Sequence, residues 1–128
     1  TLFTNNLDTA TSAINEGIET HCTGGKAFNN SPVLIGPDTE RFIKNLRVDA
    51  FFFSAQFLNH KGVISDSTQE ETYIRSIILE NCDKKYFLCD NDKVNQTALY
   101  TLTNVKDLDA CILEKEWNLL ECDGNIIY

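Results

Sequence analysis

Three polar segments combine the residue types that hold a phosphorylated polyol: Thr4-Asn5-Asn6, Thr23-Gly24-Gly25-Lys26 and Asp90-Asn91-Asp92-Lys93. Glycine backbone N–H groups and a lysine ammonium hold phosphate oxygens, while Asn and Asp side chains exchange hydrogen bonds with sugar hydroxyls. Taken singly, each segment has a plain structural reading, because turns need Gly and Asn and a charge cluster is easily solvated. What joins the three is position. Each follows directly on an apolar run that reads as a strand, and parallel strands bring their carboxyl ends to one rim, where open α/β sheets bind ligands.

The elements that must position those segments follow from the apolar pattern. Residues 2–4 are extended, and Asp8 is expected to cap a helix with Ala10, Ala13 and Ile14 on its apolar face, stopped by Gly17. Residues 18–22 read as a strand broken by the glycine pair. Gly36-Pro37-Asp38 starts a helix that carries Phe42, Ile43 and Leu46 at helical spacing up to Arg47. Residues 48–55 are almost continuously apolar, which predicts a central strand covered on both faces. Residues 59–67 are polar, contain Gly62 and read as a loop. Ser67-Thr68-Gln69-Glu70 then opens a helix with Tyr73, Ile74, Ile77 and Ile78 on one side.

Further along, residues 84–89 form a buried strand and residues 98–102 suit either strand or helix. Residues 105–108 make a helical turn, and residues 110–113 and 125–128 are strands. Strands alternating with helices predict an α/β layer fold with a mostly parallel sheet and right-handed crossovers. No repeat, low-complexity tract or linker divides the chain.

Bulk properties limit what this domain does. At 128 residues and 42% hydrophobic content, one domain is the default, and a chain of this size buries roughly two-thirds of its unfolded surface. The net charge of −8, from 11 Lys and Arg against 19 Asp and Glu, argues against a grip on DNA or an anionic membrane. No apolar run approaches the roughly 20 residues of a membrane span, so a cytoplasmic location is expected. The five cysteines include no C-x-x-C pair and are expected as unpaired, mostly buried thiols. No cofactor, metal site or catalytic group is expected. With no Met in the chain, it is read as a fragment of a longer protein.

The order of short motifs resembles one family. Thr4-Asn5, Gly24-Gly25, Gly36-Pro37, Val48-Asp49, Gly62-Val63, Glu70-Glu71 with Ile74-Arg75, Leu88-Cys89-Asp90 with Lys93, and Val105-Lys106-Asp107-Leu108-Asp109 are similar to the C-terminal domain of DeoR-type repressors. The resemblance places the chain in the superfamily of glucosamine-6-phosphate deaminase, ribose-5-phosphate isomerase and CoA transferases, which implies a Rossmann-like α/β fold, a mostly parallel sheet with helices on both faces. It implies that residues 1–128 are an effector-binding domain, incomplete at its N-terminal side. In this family, such a domain senses a sugar phosphate, and an N-terminal helix-turn-helix outside this chain holds operator DNA. Homo-oligomers are expected.

Carried over by position, the resemblance implies a ligand site of Thr4, Asn5, Gly24, Gly25, Ser54, Glu71, Asp90 and Lys93. Lys93 would contact phosphate, and Asp90 would accept a sugar hydroxyl, since a carboxylate beside phosphate is repelled unless Lys93 screens it. Glu71 has an equally good structural role near a helix N-terminus. The sequence departs from the family in two places. The glycine-threonine phosphate loop that precedes Thr4-Asn5 in the family is absent here, and Ser54 and Phe57 stand where the loop after the central strand usually has glycines.

Two other readings stay open: a sugar-phosphate isomerase or deaminase of the same superfamily, and an oligomerisation module that has lost its ligand. Against the enzyme, the isomerase's acidic and glycine-rich signatures are missing, and Asp66, Glu70 and Glu71 have no evident partner to orient a base. His60, in a polar loop, reads as solvated.

Overall fold

Asn6 caps the first helix. It is extended (φ −111°, ψ 120°), and its side-chain oxygen accepts from the Asp8 and Thr9 amides, which are 2.9 and 3.0 Å away. The expected cap, Asp8, lies instead in the first turn, where its charge favours the helix dipole. A computed structural model describes residues 1–118 and 120–128. It divides into two compact units, Thr1–Leu46 and Arg47–Tyr128.

In the first unit, β1 (Leu2–Thr4) and β2 (Thr20–Cys22) pair in parallel, and α1 (Leu7–Asn15) connects them. The buried stripe of α1 consists of Ala10 and Ala13, while Ile14, expected on the same face, is exposed. A short antiparallel ladder, β3 (Lys26–Ala27) with β4 (Leu34–Ile35), follows, too short for periodicity to reveal. Next comes α2 (Pro37–Lys44), with Gly36 as N-cap and Pro37 in its first turn, as expected; it ends at Lys44, before Arg47.

The second unit holds β5 (Val48–Phe53), β6 (Phe57–Leu58), β7 (Val63–Asp66), α3 (Gln69–Glu80), β8 (Cys82–Cys89), β9 (Tyr100–Asn104), β10 (Ala110–Leu113) and β11 (Ile126–Ile127). Four strands form a wholly parallel sheet in the order β11-β10-β8-β5, and β6-β7-β9 form an antiparallel one. The α/β class with a mostly parallel sheet is thus as the sequence predicts. Helix α3 connects the antiparallel and parallel sheets in sequence, with Ile74 and Ile77 buried.

Two expectations are corrected here. Strand β5 is central in neither sheet; it forms the edge of the four-stranded one. Its run of phenylalanines alternates, with Phe53 buried and Phe52 exposed and stacked on Tyr86, ring centroids 4.8 Å apart. The unbroken apolar run misleads because Phe52, although apolar, stays exposed and stacks on its cross-strand partner Tyr86. The segment read as a loop at residues 59–67 contains β7. Half of that strand is polar, yet Ser65 and Asp66 are both buried.

The core of this unit clusters Phe53, Phe87 and Cys111 of the parallel sheet with Leu58 and Ile64 of the antiparallel one and with Val105, which opens the 3-10 turn after β9. Burying each large apolar side chain contributes about 1.5–3 kcal/mol. All five cysteines are free thiols; Cys82, Cys89 and Cys111 are buried and Cys22 is exposed. Burial pushes the Cys89 thiol up to about 11 and the Cys111 thiol up to about 12, because a thiolate loses its hydration there.

Candidate functional site

In the second unit an open cleft of about 370 Å³ is lined by Ser54, Ala55, Gln56, Asp66, Ser67, Thr68, Glu71, Arg75 and Lys93. Four segments build it. Ser54 to Gln56 follow the carboxyl end of β5, Asp66 closes β7, and the first turns of α3 supply Glu71 and Arg75. Lys93 ends a single 3-10 turn, Asn91–Lys93, just beyond the carboxyl end of β8. Two neighbouring parallel strands thus end at the cleft, the place where ligands enter sheets of this kind. The volume lies within the roughly 300–1,000 Å³ of small-molecule sites.

Arg75 organises one wall. Its Nη1 lies 2.8 Å from Asp66 Oδ2 and its Nη2 lies 3.3 Å from Glu71 Oε1. The Asp66 side chain is only 7% exposed and that of Arg75 20%, so the pair sits largely out of water, where a lone carboxylate would be costly.

Thr68 and Glu71 have the spacing of a capping box, S/T-x-x-E, but the side chains bond each other instead. Thr68 Oγ1 donates to Glu71 Oε2 at 2.9 Å, and Thr68 makes no side-chain cap for the helix. The Thr68 amide instead donates to Asp66 Oδ1, 3.3 Å away. Glu71 stays in the first turn of α3, where the helix dipole favours it, and also reaches Arg75.

Lys93 forms the opposite wall. Its Nζ donates to Ser54 Oγ at 2.9 Å and lies 3.4 Å from Asp90 Oδ2. Asp90 itself points out to solvent, with its side chain 72% exposed, and is not part of the lining. Of the eight residues singled out from sequence, the structure brings Ser54, Glu71 and Lys93 to one cleft.

Thr4, Asn5, Gly24 and Gly25 belong to the first unit and have structural partners there. Thr4 Oγ1 accepts from the Asn6 amide, Asn5 Nδ2 donates to the Leu34 carbonyl, and the Gly24 carbonyl accepts from the buried Thr39 hydroxyl at 2.7 Å. Gly25, at φ 118°, has no room for a side chain: a Cβ would lie 2.2 Å from Thr39 Oγ1 and 2.7 Å from the Ile35 carbonyl.

Sequence reasoning missed Asp66, Thr68, Gln56 and the role of Arg75. For Arg75 a signal existed, since it stands four residues after Glu71 on a helix, the spacing at which opposite charges meet. The partner of Asp66 could not be seen while β7 was unrecognised. Among the described residues, no group of three or more His, Cys, Asp or Glu side chains could hold a metal ion, and no helix is long and apolar enough to cross a membrane. His60 is exposed, as expected.

A parallel α/β sheet with a polar cleft at its strand ends defines a ligand-binding class of domain rather than one activity. The chain belongs to the family of DeoR C-terminal sensor domains, whose model matches residues 1–115. It is similar to the lactose phosphotransferase system repressor of Staphylococcus aureus strain NCTC 8325, 28% identical over 93 residues covering 73% of this chain and 37% of that protein. It is also similar to the putative aga operon transcriptional repressor of Escherichia coli O157:H7, 21% identical over 114 residues covering 88% and 42%. A third relative is the L-fucose operon activator of Haemophilus influenzae, 22% identical over 116 residues covering 90% and 47%. The chain spans less than half the length of these curated relatives.

Proposed function

We propose that this chain is the effector-sensing domain of a DeoR-family transcriptional regulator. It binds a phosphorylated sugar or related metabolite and so controls operator binding by a helix-turn-helix elsewhere in the protein. The observation that supports this reading most is the pairing across one cleft of Lys93, a cation for phosphate, with Asp66, Thr68 and Glu71, acceptors and a hydroxyl for sugar hydroxyl groups. The uncapped N-terminus of α3, which opens at Thr68, adds a partial positive charge on the same side. That relatives are named for a lactose phosphotransferase system and an L-fucose operon fits a carbohydrate-derived effector.

The acidic balance of 19 to 11 assigns DNA contact to another part of the protein. A cytoplasmic location and a homo-oligomeric state belong to the same reading. A sensor is favoured over an enzyme because the relatives are named as transcriptional repressors and an operon activator. Calorimetric titration with a panel of sugar phosphates tests the reading. Binding that turns nothing over supports it; turnover of any member of the panel, or binding to none, overturns it.

A further inference from the structure

The Lys93 ammonium is shared by two groups, one in the cleft lining and one outside it. Ser54 Oγ, which lines the cleft, accepts from Nζ at 2.9 Å, and Asp90 Oδ2, on an exposed side chain outside the lining, lies at 3.4 Å. An ammonium has three donors, so the two partners leave one for a ligand. The lysine stem is flexible, and the direction in which the head settles depends on which partner holds it. Ser54 holds it over the cleft and Asp90 draws it towards solvent. The Ser54 hydroxyl donates to the Ala55 carbonyl at a long 3.4 Å, so its proton is easily redirected to a ligand oxygen.

We propose that Ser54 and Asp90 compete for Lys93 and thereby set the affinity of the cleft for anions, Ser54 as a positioning residue that presents the ammonium and Asp90 as a rival that withholds it. This inference rests on the reading of the cleft as an anion-binding effector site. It makes the serine after β5 a device for orienting the lysine, and it gives Asp90 a role opposite to that of a ligand contact. Asp90 also places a negative charge beside an incoming anion, so both of its effects oppose binding.

The two roles have opposite signs, and inorganic phosphate serves as the probe. Titrations of the chain at fixed ionic strength are compared for wild type, Ser54→Ala, Asp90→Asn and Lys93→Ala. Ser54→Ala should weaken phosphate binding about three- to tenfold, the loss of roughly one hydrogen bond. Asp90→Asn should strengthen it about threefold, by removing one partly screened charge. Melting temperatures should stay close to wild type in both variants, which separates positioning from damage to the fold.

If Lys93→Ala abolishes binding while Ser54→Ala and Asp90→Asn shift affinity in the same direction, or not at all, the competition is wrong and the anion site stands. If phosphate binds wild type and Lys93→Ala equally well, or binds neither, the reading of the site fails and this inference with it.

Discussion

Arg75 Nη1 stands 2.8 Å from Asp66 Oδ2, and this ion pair fastens the second turn of α3 to the end of β7. The same guanidinium reaches Glu71, so one cation holds two carboxylates on one wall of the cleft.

Removing the guanidinium leaves the carboxylate of Asp66 buried without a counter-charge. Arg75→Met should therefore cost about 3–5 kcal/mol, the usual penalty for breaking a buried pair from one side. Urea denaturation measures it. Arg75→Met combined with Asp66→Asn should recover part of the loss, since no unpaired charge then remains; a double variant as unstable as the sum of both single changes would show that the two residues do not interact.

Lys93→Ala should weaken binding of a sugar-phosphate effector at least about tenfold, corresponding to the roughly 1.5–3 kcal/mol of a charge-assisted hydrogen bond. Its melting temperature should stay near wild type, because the side chain is part-exposed and outside the core. Calorimetry and a thermal melt on the same sample check both halves.

Gly25 behaves differently. A Cβ there would strike Thr39 Oγ1 and the Ile35 carbonyl, in a backbone conformation that disfavours side chains. Gly25→Val should cost several kcal/mol of stability, roughly 1–3 from backbone strain alone with the clash added. Thr39→Ala in the same chain should relieve only part, since φ and the Ile35 carbonyl are unchanged. A Gly25→Val chain that melts with wild type would contradict the packing described for the first unit.

Stability should fall in alkali. The Cys89 and Cys111 thiols are raised from 9.0 to about 11 and about 12 by burial. Below pH 9 they are neutral whether folded or unfolded and stability is unaffected. As pH rises from 9.0 through 11 and 12, only the unfolded chain releases these protons, and folding loses free energy. Melting temperatures between pH 8 and 10.5 should decline, and Cys111→Ala should flatten the decline while lowering the value at pH 8. An unchanged slope in that variant would assign the decline to other groups.

The features legible in the sequence were those carried by local chemistry. Gly36-Pro37 marks the start of α2 because the constraint lies in the backbone of those two residues. The runs at β8 and β10 are apolar enough to announce strands, although β8 is not buried throughout as expected: Phe87 and Cys89 are buried while Leu88 between them is exposed. β7 was not legible, because its second half is satisfied from a distance: Ser65 Oγ accepts from the Ala98 amide, 33 residues away, and Asp66 from Arg75 on the next helix. A buried polar residue looks like a loop residue until its partner is known. Within the cleft, Lys93 and Glu71 were visible through their place next to elements, whereas Asp66 depended on a strand that its own polarity concealed. Asn6 was passed over as a cap in favour of Asp8 because two residues with capping side chains stood two apart, and only backbone geometry distinguishes them.

The strand order has one last consequence, for the rate at which amide protons leave the chain. Strand β8 has a parallel neighbour on each side, β10 and β5, while β5 has one. Phe87 of β8 and Cys111 of β10 are both fully buried, so release of the ladder protons around them should require the whole unit to open. The amides of β5 that point away from β8 have no partner strand in that sheet and should be lost first, by local opening alone. Deuterium uptake should therefore travel across the parallel sheet from β5 inward, and the slowest protons, those of β8 around Phe87, should report the global stability of this unit.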